Sequence, residues 1–145
     1  MTKIFEHILI PYNGYSGSQK AFKKAVALAQ IAKSKITILT CIEERSTFGL
    51  FKTKTSKKEV ENEQKSITLE HEKLGKYANE YNVLVNSKII TSNSPSLAIL
   101  EFAEKHNVDL IVMGMNRRNR YEKRHYPTTV EDISKNFNGA ILILN

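Results

Sequence analysis

Short runs rich in β-branched residues alternate with longer segments carrying apolar residues at helical spacing, and this alternation narrows the fold more than any other feature. The run "EHILIPY" (6–12) ends in Asn13-Gly14, a turn dipeptide. Ala21, Phe22, Ala25, Leu28, Ala29 and Ala32 then recur at helical spacing, and Ser16 or Ser18 is placed to cap that helix. The segment "KITILTCI" (35–42) is apolar on both faces, as a strand buried on both sides of a parallel sheet must be. Residues 43–57 keep neither period and read as a mobile loop. A second helix is predicted over about 58–81, with Val60, Ile67, Leu74, Ala78 and Tyr81 on one stripe. The third strand is "VLVNSKII" (83–90), and "SNSPS" puts Pro95 at the first helical position behind Ser94. "LAILEFAEKH" reads as the third helix and "DLIVMG" as the fourth strand. Thr128 with Glu131 offers a capping box for a fourth helix, and "AILILN" closes the chain as a strand.

Strands alternating with helices imply a parallel sheet with helices on both faces, and right-handed crossovers restrict its topology. Ligands of such sheets bind beyond the carboxyl ends of the strands, where "PYNG", "TCIEE" and "MGMN" would meet. The length of 145 residues fits one domain, residues 1–145, large enough for a real core. With 41% hydrophobic and 26% charged residues the composition is globular, not disordered. No apolar run approaches the roughly 20 residues of a membrane span. The N-terminus lacks a signal-peptide pattern, so a cytoplasmic protein is expected. Cys41 is the single cysteine, which rules out an intrachain disulfide and fits a reducing compartment.

The formal net charge is +7, which favours anionic partners. Lysines within the helices read as solvated faces. Two clusters stand apart from them, "KTKTSKK" (52–58) and "RRNRYEKRH" (117–125).

The ordered set "HILIPYNG", "NSPS" leading into "AILEFA", and "DLIVMG" resembles the universal stress protein (UspA-like) family over essentially the whole chain. The resemblance implies a Rossmann-like (adenine nucleotide alpha hydrolase-like) α/β domain with a five-stranded parallel sheet of order 3-2-1-4-5. It also implies a stress-response role and a homodimer paired through the last strand, here 140–145. Nucleotide-binding members carry an aspartate after strand one. They also carry the pattern glycine, two residues, glycine, nine residues, glycine, then serine or threonine. In this chain the aspartate position holds Asn13, the first glycine is Gly114, the second position holds Arg117, the third holds Pro127, and the hydroxyl is kept as Thr128. The motif is therefore degenerate.

Each replacement has a physical consequence. Glycine allows positive φ and close approach of backbone to phosphate, and Arg117 resists both. Pro127 has no N–H to donate. Asn13 can accept a hydrogen bond but brings no charge for ribose or a divalent metal. The triphosphate cradle is accordingly expected to be impaired, with no cofactor retained, although ATP or another adenine nucleotide stays within its chemistry. Thr128 and Thr129 at a helix start would still attract an anion. Arg117, Arg118, Arg120, Lys123 and Arg124 could replace the backbone nest with a side-chain clamp, supporting anion binding and slow ATP hydrolysis. The simpler reading of 117–124 is a solvated basic loop.

Pro11 and Cys41 lie on the same expected rim. Cys41 falls where the resemblance places a small apolar adenine-contacting residue, and the simpler reading, a buried core cysteine, is preferred. His7, His71, His106 and His125 show no metal-ligand spacing, and His71 reads as part of a solvated helix face. Neither a nucleophile elbow nor a Walker loop is present, and "GYSGS" (14–18) fits no phosphate-loop spacing. The expected protein acts by binding and association rather than as an enzyme. Specific nucleic-acid recognition and membrane association are not expected. Any contact of the basic stretches with DNA or RNA would be weak, sequence-independent and steeply salt-sensitive.

Overall fold

The computed structural model describes residues 3–14, 16–43, 54–115 and 128–145. Its elements are β1 (His7–Pro11), α1 (Ser16–Ala32), β2 (Lys35–Glu43), α2 (Lys54–Asn79), β3 (Val85–Ser92), α3 (Pro95–Lys105), β4 (Leu110–Gly114), α4 (Thr128–Asn136) and β5 (Ala140–Leu144). The five strands form one sheet of order β3-β2-β1-β4-β5, and every neighbouring pair is parallel. This is the expected α/β architecture.

Strand alternation splits the core into two layers. Ile8, Ile10, Ile36, Ile38 and Val112 face one side and pack with Phe22, Ala25 and Val26 of α1 and Ala78 of α2. Leu9, Leu39, Ile111 and Met113 face the other side and pack with Ile99 and Phe102 of α3 and Ile133 of α4. β1 is buried on both faces, with Ile8, Leu9 and Ile10 each at 0% exposure. Each such side chain contributes about 1.5–3 kcal/mol by leaving water.

Three helices hand the chain to the next strand in one way. Lys33, Asn82 and Asn107 adopt positive φ of 58°, 59° and 53° at the ends of α1, α2 and α3. One residue further on, the N–H of Ser34, Val83 and Val108 donates to the carbonyl of Ala29, Ala78 and Ala103 respectively. This is the Schellman closure, and it reverses direction within two residues. At the other end of α3, Ser94 caps the helix by accepting from the Leu97 N–H, with Pro95 in the first turn, as the sequence indicates.

Several boundaries differ from the sequence reading. α1 already includes Ser16, and the Ser18 hydroxyl donates to Asn13 Oδ1 instead of capping the helix. α2 starts at Lys54, inside the segment read as loop, and ends at Asn79, while residues 44–53 of that segment lie outside the described residues. Alternating lysine, threonine and serine at 52–58 conceal a helix start because they carry no apolar stripe. Val60 and Tyr81, assigned to the apolar stripe of α2, are 38% and 39% exposed. β3 runs two residues later than expected, since Asn82 and Val83 complete the helix closure. Thr128 is itself the first residue of α4, not the residue before it.

At the amino end of the sheet, His7 is buried between two partners. The His106 carbonyl can only accept, so the proton sits on Nδ1 (3.0 Å), and Nε2 accepts from the Thr37 hydroxyl at 2.7 Å. Burial holds the ring below its ordinary value of 6.5. Lys35 and His106 push the same way, while the His106 carbonyl and Asp109 oppose it. Buried His71 is depressed in the same direction, again by burial. A depressed histidine is neutral in the fold and charged first in the unfolded chain. Its stabilisation is therefore present above pH 6.5 and is lost as pH falls from there towards the folded value. Urea unfolding from about pH 7.5 to about pH 5 should show stability falling by at most about 1.4 kcal/mol per pH unit for each histidine. His7→Gln should flatten part of that slope, and a flat wild-type profile would mean that both rings take up protons as readily in the fold as in the unfolded chain.

Candidate functional site

The carboxyl ends of β1, β2 and β4 lie side by side because β1 pairs with both neighbours. Pro11 ends β1, and Tyr12 and Asn13 follow it. Cys41 sits near the end of β2, Gly114 ends β4, and Thr128 and Thr129 open α4. The sequence-derived residues thus share one rim of the sheet. Arg117 belongs to residues 116–127, outside the described residues, as do Pro127 and the other basic residues of that stretch.

The rim has two sides. Pro11 and Cys41 alternate in phase with Leu9 and Leu39, so they face the α3/α4 layer, and both are half-buried. Burial, reinforced by Glu43, pushes the Cys41 thiol up, with a Ser92 backbone hydrogen bond opposing it. The thiol is therefore protonated at neutral pH and a poor nucleophile. Gly114 is in phase with Val112 and faces α1. A Cβ at Gly114 would lie 1.9 Å from the Gly17 carbonyl oxygen. No side chain fits there, so the packing of α1 on β4 alone accounts for this glycine.

Asn13 is exposed in the turn between β1 and α1, and its Oδ1 accepts from the Ser18 hydroxyl at 2.9 Å. Gly14 takes φ +84°, and its carbonyl accepts from Gln19 Nε2 at 3.3 Å. The Asn-Gly pair thus forms the turn that its sequence indicates. No group of three or more metal-ligating side chains occurs among the described residues. No helix among them is long and apolar enough to cross a membrane.

Behind the rim lies a polar network that the sequence reading missed. Tyr12 is buried, and its hydroxyl donates to Glu70 Oε1 at 2.8 Å. Burial and then Glu70 push its pKa well above the ordinary tyrosine range. His71, read as solvated, is only 3% exposed and contacts the hydroxyls of Thr40 and Ser87. The missed signal was positional: residue 71 falls between Ile67 and Leu74 on the apolar stripe, four residues from one and three from the other. Among the described residues, every buried polar side-chain atom has a hydrogen-bond partner.

The family model described as "Universal stress protein family" matches residues 4–145. Universal stress protein MJ0531 of Methanocaldococcus jannaschii is 26% identical over 143 residues, spanning 97% of this chain and 82% of that protein. The solved structure of UspA from Lactobacillus plantarum has a TM-score of 0.80 at 18% identity and 97% coverage of each chain. A universal stress protein in complex with cAMP has a TM-score of 0.69 at 14% identity, covering 97% of each chain. The Archaeoglobus fulgidus protein in complex with dAMP has a TM-score of 0.66 at 8% identity, covering 99% of this chain and 100% of that one. At these identities the structural likenesses establish the fold.

Two glycines give opposite expectations. Gly114→Ala should destabilise the protein by about 3 kcal/mol, the upper part of the range for overpacking, because backbone meets backbone. Gly75, within α2, has nothing within 4 Å of an added Cβ. Gly75→Ala should therefore stabilise by roughly 0.5–1 kcal/mol. Urea midpoints measured without added ligand check both signs. A neutral Gly114→Ala would separate this glycine from the α1 packing.

Proposed function

This chain belongs to the universal stress protein family, and from that premise we propose that it acts by binding and self-association, with an adenine-nucleotide site that is impaired for ATP. The carrying observation is at residue 13. The family pattern has a carboxylate there, whereas Asn13 is uncharged and its amide oxygen is already engaged by Ser18. A neutral, occupied acceptor gives little hold on a magnesium–triphosphate group. Arg117 and Pro127 remove two further cradle positions by sequence. The complexes of structural neighbours with cAMP and dAMP support adenine monophosphates as the ligand class that the rim could retain. Those ligands carry a single phosphate and need no triphosphate cradle.

A second reading keeps phosphate binding through the cationic side chains of 117–124. The two readings diverge in a melting experiment. A ligand at a hundred times its dissociation constant stabilises by about 2.7 kcal/mol, which is on the order of 6 °C for a domain of this size. Millimolar ATP with magnesium should leave the melting curve nearly unchanged. A clear upward shift would refute the lapse. If Arg117→Ala with Arg120→Ala then abolished that shift, the clamp would be its source. If Arg117→Gly with Pro127→Gly strengthened it, the backbone nest would be.

The association surface we assign is β5. It is an edge strand, and Ala140 and Ile143 are exposed along it. An open apolar edge is prone to pairing with a second copy. Light scattering at high protein concentration should give the mass of a dimer, and Ile143→Lys should shift it towards the monomer. A wild-type monomer under those conditions would count against the pairing.

A further inference from the structure

His71 is where α2 meets the sheet. Residues 58–66 of the helix are exposed, whereas His71 is buried and Leu74, Tyr77 and Ala78 beyond it join the core. The imidazole stands edge-on to the Tyr12 ring, with centroids 6.1 Å apart and planes at 81°.

The hydrogen bonds around it have one consistent direction. The Thr40 hydroxyl donates to the Tyr12 carbonyl at 2.8 Å. A carbonyl only accepts and a hydroxyl has one proton, so the 2.7 Å contact between Thr40 Oγ1 and His71 Nε2 requires the proton on Nε2. The neutral ring then presents its lone pair at Nδ1, where the Ser87 hydroxyl donates. The chain runs from Ser87 through His71 and Thr40 to the Tyr12 carbonyl. It reaches Tyr12 where β1 leaves its neighbour: the Tyr12 N–H to Leu39 carbonyl bond, 2.8 Å, is followed by the Asn13-Gly14 turn.

We propose that His71 is a positioning residue for the rim: through Thr40 it fixes the Tyr12 carbonyl, and with it the Asn13-Gly14 turn. This deepens the proposed binding reading and rests on it only for the consequence that a ligand at the rim would feel His71. The charges near the ring are few. A cavity of about 490 Å³ between α1 and α2, beside Tyr12, is lined by Glu70 and Lys73 of α2 and Lys23 of α1. β2 and β3 present the neutral hydroxyls of Thr40 and Ser87 to the ring. Burial keeps the ring neutral above pH 6.5, with Glu70 opposing. Protonation adds a donor at Nδ1 and makes Nε2–H a stronger donor to Thr40, which tightens Thr40 on Tyr12.

The Tyr12 carbonyl and the Asn13 N–H belong to one peptide group, so the Asn13 amide resonance reports the state of the chain. Nuclear magnetic resonance titration of the ligand-free protein below pH 6.5 should show the Asn13 amide following the His71 ring with the same midpoint. Thr40→Val should abolish the Asn13 response while His71 still titrates, and Thr40→Ser should restore it. A field effect through space, or a purely structural role, would survive Thr40→Val. Ser87→Ala, at the outer end, provides a second check, because it should move both midpoints together. An Asn13 amide that ignores His71, that titrates unchanged in Thr40→Val, or whose midpoint separates from that of His71 in Ser87→Ala overturns the proposal. AMP is the probe for the site itself. Where wild type binds it, Thr40→Val should weaken binding about tenfold. If wild type does not bind AMP but Asn13 still follows His71, the adenine-nucleotide reading fails and the positioning role stands.

Discussion

The contact between Gly17 and Gly114 sets the geometry at the carboxyl end of the sheet. α1 can lie over the end of β4 only because residue 114 brings no side chain, since a Cβ there would fall 1.9 Å from the Gly17 carbonyl oxygen. That approach fixes how far α1 descends towards the sheet. It therefore fixes where the preceding turn, Asn13-Gly14, stands relative to the end of β4. With β1 fully buried between the two layers, the strand cannot shift to accommodate another placement of the helix.

Polar groups secure both ends of this apolar interior. At the amino end, the Asp109 carboxylate accepts from the N–H groups of Glu6 and His7, while the His7 ring bridges His106 and Thr37. These bonds tie the starts of β1, β2 and β4 together. At the carboxyl end, Tyr12, Thr40, Glu70 and His71 do the equivalent for β1, β2 and α2. Each network is satisfied by neutral histidine, and each histidine has its pKa lowered chiefly by burial. The sheet is thus closed at each end by a buried histidine that is neutral at neutral pH, set beside a carboxylate, Asp109 at one end and Glu70 at the other.

The legible and illegible parts of this fold divide along physical lines. Strand order followed from the alternation of elements only with the family resemblance added, because crossover handedness leaves more than one order open. Strand and helix identity were legible wherever the apolar period was strong, as in "KITILTCI" and "AILEFA". The amino half of α2 was not, since residues 58–66 bury nothing and leave no period to read. His71 shows a different limit. Its position on the stripe points inward while its polarity points outward, and the sequence alone does not show the partners that decide between them. The structure resolves the conflict with two hydroxyls, Thr40 and Ser87, that come from strands 31 and 16 residues away in sequence. The rim residues were found by their place after strands. What each contacts depended on alternation phase, which separates Pro11 and Cys41 from Gly114.

The family's nucleotide pattern, laid over this chain, separates into positions that the fold also uses and positions that a ligand alone would use. Gly114 is retained, and packing against Gly17 requires it whatever binds. Position 13 sits between the two categories. Its oxygen holds the Ser18 hydroxyl, a task that asparagine and aspartate perform alike, so the structural half of the role is kept while the charge is absent. Positions 117 and 127 have no glycine left, and both lie outside the described residues. Retention of Gly114 therefore says little about a nucleotide, because the fold would preserve it in a chain with no ligand. The uncharged residue at 13 says more, because the turn there forms without the charge. A partial motif of this kind is weighed by what the fold asks of each position: Gly114 is required by packing, whereas at Asn13 the hydrogen bond is kept and the charge is not.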